Sequence, residues 1–189
     1  KVMVFAHEVG LAKRLEIVRS TVALTQPNAE LMRVNPLSRI PTLITDDGLV
    51  LFDSSLICEY LDSLHDGPKL YPSAGEPRWR ALRWHALGTS MLEICILWRS
   101  ELQRPSPAPA FVDACALKIN ASLDTLEREV EDVAPAPFGI GHVALGVALG
   151  YLDFRFKDLP WRHGRKRLAA WEATFAKRPS AQATFPRDE

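Results

Sequence analysis

Residues 35–54, N-P-L-S-R-I-P-T-L-I-T-D-D-G-L-V-L-F-D-S, constrain the fold more than any other stretch of this chain. Pro36 ends whatever helix precedes it, because a proline pushes the residue before it out of the α region. Ile40-Pro41 then opens a β-branched run, Thr42-Leu43-Ile44-Thr45, and a proline is tolerated at the first residue of such a strand. Asp46-Asp47-Gly48 supplies a tight turn in which Gly48 is free to take a positive φ. Leu49-Val50-Leu51-Phe52 returns as the partner strand, and Asp53-Ser54-Ser55 offers side-chain oxygens to cap a following helix.

The surrounding residues extend this into a unit. Val2 to Val9 is largely apolar and reads as a helix closed by Gly10 and Leu11. Leu15-Glu16-Ile17-Val18 reads as a short strand, and Asn28 is placed to cap one or two turns over residues 29–34. Leu56, Ile57, Tyr60, Leu61 and Leu64 form one apolar stripe at helical spacing. The order helix, strand, helix, hairpin, helix is that of a thioredoxin-like α/β domain without its opening strand, assigned to residues 1–66. A helix beginning at Lys1 would have no cap and would set a cation at the positive end of its dipole. About a dozen residues are therefore expected ahead of Lys1 in the natural protein, enough for a strand of average length and a turn.

Gly67, Pro68, Pro72, Gly75 and Pro77 make residues 67–77 a linker. Strand signals vanish beyond it, which predicts an all-α helical C-terminal domain over residues 78–189. Trp79, Leu82, Ala86, Leu87, Met91, Ile94 and Trp98 keep helical spacing up to the break at Pro105-Ser106-Pro107-Ala108-Pro109. Ile119, Leu123, Leu126, Val130 and Val133 give a second stripe, ended by Ala134-Pro135-Ala136-Pro137. Residues 140–154 are apolar on nearly all sides, the mark of a buried central helix, and Gly146 and Gly150 would let a neighbour approach closely. Leu168, Trp171 and Phe175 mark the inward face of the last long helix.

Composition excludes several classes. Lysine plus arginine number 23, equal to aspartate plus glutamate, so no global field favours nucleic acid. The basic run Arg162-His163-Gly164-Arg165-Lys166-Arg167 reads as the solvated entry to the last helix. Cys58, Cys95 and Cys115 have no paired spacing, which suits a reducing cytoplasmic setting, and the histidines show no metal-ligand spacing. No signal peptide is visible, and no apolar run approaches the roughly 20 residues of a membrane span.

Asn35, Pro36, Ser38, Ile40, Pro41, Asp53 and Ser54 resemble the glutathione-binding motif of the glutathione S-transferase family, bacterial cytosolic type. The resemblance continues through Leu70-Tyr71-Pro72 to Arg178-Pro179-Ser180 and so covers nearly the whole chain. It implies that the backbone at Ile40-Pro41, with a cis proline, pairs with the cysteinyl part of glutathione. It also implies that Asp53-Ser54 holds the γ-glutamyl end and that Arg39 reaches the glycyl end. Capping a helix and binding an anion use the same free N–H groups, so Asp53 and Ser54 can do both. The implied activity is conjugation of the glutathione thiolate, as co-substrate, to a small hydrophobic electrophile, by a symmetric homodimer. The thiol-activating residue falls ahead of Lys1, so no catalytic residue is assigned within the chain.

Met91, Cys95 and Trp98 are candidates to line the electrophile pocket, with a buried stripe as the alternative. The sequence departs from the family at Ser38, where glycine is usual, and at Thr89, where relatives often carry an aspartate that Glu93 could replace. It departs again at Gly139-Ile140-Gly141-His142, which cannot form the usual reciprocal Ser/Thr-x-x-Asp pair, and His142 reads as structural. These departures keep open a transferase-like binding module without turnover. A glutathione-dependent thiol reductase is the third reading.

Overall fold

The structure, a computed structural model, describes residues 1–187 and divides into two compact units, Lys1–Tyr71 and Pro72–Glu189. In the first unit α1 (Val2–Glu8) buries Val4, Phe5 and Ala6. It ends as the sequence indicates: Gly10 takes φ 75°, its N–H reaches His7 O at 3.2 Å, and Leu11 N–H reaches Ala6 O at 2.8 Å. This is a Schellman closure, which satisfies carbonyls the helix would otherwise leave open. Asn28 caps the short 3₁₀ turn Leu31–Arg33, its Oδ1 accepting the N–H of Glu30 and of Leu31 at 3.0 Å.

The hairpin is antiparallel, β1 (Leu43–Ile44) against β2 (Val50–Leu51), with Leu43 opposite Leu51 and Ile44 opposite Val50. Gly48 turns the chain at φ 86°. Helix α2 (Ser54–Ser63) follows and buries Ile57, Cys58 and Leu61. Buried Asp62 then holds the next segment in place: its carboxylate accepts the N–H of Leu70 at 2.9 Å and of Tyr71 at 3.1 Å.

The strand expected at Leu15–Val18 does not form. Leu15 is extended (φ −93°, ψ 119°), but the residues pair with no ladder, and Ile17 and Val18 are 61% and 79% exposed. A strand exists by hydrogen bonding to a neighbour, and among the described residues the sheet is β1 and β2 alone.

The second unit is helical: α3 (Gly75–Leu102), α4 (Pro109–Val133), α5 (Ile140–Arg155), α6 (Lys166–Phe175) and α7 (Pro179–Ala183). Helix α3 thus begins inside the stretch expected to be linker. Its inward face is Ala81, Trp84, His85, Gly88, Met91, Cys95 and Trp98, whereas Trp79 is 69% exposed. Trp79 belongs to the helically spaced apolar series but lies off that face, which includes the polar His85 and the small Gly88. The α4 stripe from Ile119 to Val133 is buried as read.

Helix α5 is the centre of this unit. Close approach depends on particular glycines: a Cβ on Gly88 would lie 2.6 Å from the Ala144 backbone, and one on Gly146 would lie 2.3 Å from the Phe175 ring. Gly150 has nothing within 4 Å, so it is not a contact point.

The basic run before α6 is exposed at every residue but Arg165, and its arginines also make ion pairs. Arg162 grips Asp153 through two bonds of 2.6 and 2.7 Å and Glu172 at 2.7 Å. Buried Arg165 donates to Asp124 at 2.8 Å and to the Trp161 carbonyl at 2.9 Å. Glu127 of α4 accepts the N–H of Arg167 at 3.2 Å and of Leu168 at 2.7 Å, capping α6 from another helix. These arginines bind the unit's own carboxylates. Among the described residues no helix is long and apolar enough to cross a membrane.

Candidate functional site

The site begins with Asn35, which is fully buried and spends every side-chain polar group on one turn. Its Oδ1 accepts Leu37 N–H at 3.0 Å, while Nδ2 donates to the Arg39 carbonyl at 3.0 Å and to Thr42 Oγ1 at 2.9 Å. Thr42 Oγ1 donates in turn to the same Arg39 carbonyl at 2.9 Å. Ser38 closes the turn with its N–H on Asn35 O at 2.9 Å. The effect is to hold the backbone of residues 35–42 around one buried amide. Within that loop the Ile40–Pro41 bond is cis, and Arg39, Ile40 and Pro41 face solvent. Exposed backbone beside Pro41 is free to pair with an extended ligand.

The hairpin carries the chain from this loop to the start of α2. There Asp53 is the N-cap, with Oδ1 accepting Ser55 N–H at 2.8 Å. Burial works against the Asp53 charge, but the Ser55 N–H and hydroxyl, the Lys1 cation and Leu56 N–H outweigh it and hold the carboxyl below its ordinary value. Asp53 is thus an anion at working pH. Exposed Asp53 and half-buried Ser54 sit where the α2 N–H groups point outward, an arrangement that accepts a carboxylate or offers one to an ammonium. Tyr71 Oη donates to Ser55 O at 3.1 Å and steadies this helix start. Sequence reasoning missed Thr42 and Tyr71; a threonine two residues past Ile40 in a motif already flagged was the available signal for the first.

Met91, Cys95 and Trp98 lie in the core of the helical unit, 1%, 1% and 7% exposed, packed among Ile119, Leu123, Leu149 and Leu152. The structure shows the buried stripe for all three. Trp98 packs against Phe156, with ring centroids 4.7 Å apart and the planes tilted by 33°. Thr89 is half-buried on α3, and Glu93 is exposed one turn on.

His142 does form half of a cap. Its Nδ1 accepts Gly139 N–H at 3.2 Å, which leaves Nε2 to donate to the Val133 carbonyl at 2.9 Å. Gly139 has no side chain to return the bond, so the reciprocal pair is absent, and the role of His142 is structural. Burial lowers its pKa, the Val133 bond opposes this, and the Arg178 charge adds to the lowering. The three cysteines are buried, and burial pushes the Cys58 thiol up to about 11 and that of Cys95 to about 12. Such thiols are inert at neutral pH. No group of three or more His, Cys, Asp or Glu among the described residues is set to hold a metal ion.

A cis-proline loop, a short hairpin and an Asp-Ser helix start, followed in sequence by an all-helical unit, define the class. Residues 1–64 match the family model "Glutathione S-transferase, N-terminal domain", and residues 109–173 match "Glutathione S-transferase, C-terminal domain". The chain belongs to the glutathione S-transferase family. It is similar to a glutathione transferase family member from Pseudomonas fluorescens Pf-5, solved with bound glutathione: TM-score 0.95, 39% identity, 99% of this chain and 93% of that one. It is 28% identical to the uncharacterized GST-like protein YibF of Escherichia coli (strain K12), over 80% of this chain and 77% of that protein. A shorter match, 39% identical over 44% of this chain and 42% of that protein, is to a stringent starvation protein A homolog of Histophilus somni.

Proposed function

We propose that this protein is a glutathione transferase, binding glutathione along Arg39, Ile40 and Pro41 and at Asp53-Ser54, and joining its thiolate to a small electrophile. The observation that carries the reading is the loop organised by buried Asn35, which leaves Ile40 and Pro41 exposed, in a chain similar over 99% of its length to a glutathione-bound relative. Backbone pairing at Pro41 would fix the cysteinyl residue, and the α2 start would hold the γ-glutamyl carboxylate while the Asp53 anion faces its ammonium. A free thiol with pKa about 8.5 is only slightly ionised at neutral pH, so turnover needs a donor at the sulfur; none of the described cysteines serves. A cytoplasmic symmetric homodimer belongs to the same reading. Ile96, Leu97 and Leu102 on α3 and Phe111 and Leu117 on α4 are large apolar side chains left 42–72% exposed. Conjugation of glutathione to a general aromatic electrophile, with light scattering for the oligomer, tests it; no turnover above the solution reaction contradicts the enzymatic part.

The second reading is a binding module without turnover. Thr89, where the family resemblance leads one to expect an acidic residue, favours it. Glutathione binding without conjugation would select it.

A further inference from the structure

Ser38 is the one described non-glycine residue with positive φ, at 49°. That region is disfavoured for a side-chain-bearing residue and free for glycine. The turn alone would therefore be served better by glycine. What serine adds is its hydroxyl, which accepts the backbone N–H of Asn28 at 2.8 Å across ten residues of chain. Asn28 is itself a junction: its Nδ2 donates to the Thr21 carbonyl at 3.1 Å, and its Oδ1 caps the turn at Leu31. Ser38 also closes the Asn35 turn through its own N–H. One residue thus joins two segments, the stretch around Thr21–Asn28, which has no ladder of its own beyond the Ala23–Gln26 bridge, and the loop carrying Ile40-Pro41.

We propose that Ser38 is a positioning residue for glutathione, its hydroxyl bond to Asn28 holding the 35–42 loop in the conformation that offers the Ile40-Pro41 backbone. The inference rests on the glutathione site proposed above. Releasing the bond lets the loop sample other conformations, and apparent affinity falls with the fraction of molecules that remain competent.

Two substitutions separate positioning from stability. S38G removes the hydroxyl and the strain of the left-handed backbone, whereas S38A removes the hydroxyl and keeps the strain. Titration calorimetry with reduced glutathione is expected to show both variants weakened by the same roughly three- to tenfold. Melting temperatures should diverge, S38G standing above S38A. Hydrogen exchange in the ligand-free protein should show the Asn28 amide less protected in both. Affinity within twofold of the wild type in S38G, or affinities that follow the melting temperatures, would overturn the proposal. Absence of glutathione binding by the wild type would remove the site reading and this role with it. The Asn28 amide would still show whether the bond exists, which keeps the two failures distinct.

Discussion

His142 Nε2 donates to the Val133 carbonyl across 2.9 Å, tying the end of α4 to the start of α5. The ring needs to be neutral to do so while Nδ1 accepts from Gly139. Its pKa is lowered by burial, so the unfolded chain takes up a proton first as pH falls. Stability from this group is complete above the ordinary histidine value near 6.5 and declines as pH drops below it toward the folded value. Glutamine at this position can still accept the Gly139 N–H, as in an ordinary capping box. Melting curves from pH 7.5 to 5.0 should therefore fall more steeply in the wild type than in His142→Gln. Parallel curves would show that His142 does not titrate on unfolding.

Two glycines of the same helix should respond oppositely to alanine. Gly146→Ala drives a methyl into Phe175 and is expected to cost about 1–3 kcal/mol, the usual range for overpacking. Gly150→Ala meets open space and should be neutral or stabilise by up to about 1 kcal/mol through helix propensity. Urea denaturation reads both.

Arg162→Ala leaves Glu172, only 8% of whose side chain is exposed, without its cation. Breaking such a pair is costly, although Arg162 itself is 45% exposed and water screens part of the loss. A destabilisation of about 2 kcal/mol is expected. Arg167→Ala should be milder, because Glu127 keeps the N–H groups of residues 167 and 168.

The cysteines should be silent in the folded state. At pH 7.5 an aromatic disulfide reagent is expected to label Cys58, Cys95 and Cys115 only on the timescale of unfolding, and all of them at once in denaturant. Rapid labelling of the native protein would contradict their burial.

The elements that local chemistry dictates were readable from the chain. Pro41, Gly48 and Asp53 each leave few conformations open, and hairpin and α2 lie where those residues put them. The buried stripe of α4 and the apolar α5 followed from period alone. Leu15–Val18 failed because strand propensity says nothing about whether a partner is there to pair. Helical spacing alone does not show the inward face of α3: Trp79 belongs to the spaced apolar series yet is 69% exposed, while Gly88, with no side chain to count, is one of the closest contacts. The basic run at 162–167 is solvated except at Arg165, but its partners Asp124, Asp153 and Glu172 lie on elements that only tertiary structure brings together. At the site, motif residues were visible in sequence, but the hydrogen bonds that organise them around Asn35 and join Ser38 to Asn28 were not.

Titration of reduced glutathione into the purified wild-type protein, Ser54→Ala and Pro41→Ala tests the central claim most directly. The expected result is saturable binding by the wild type, weakened roughly tenfold or more in Ser54→Ala through loss of a hydrogen bond to a charged group, and weakened also in Pro41→Ala. Unchanged affinity in both variants, or no binding by the wild type, would contradict it.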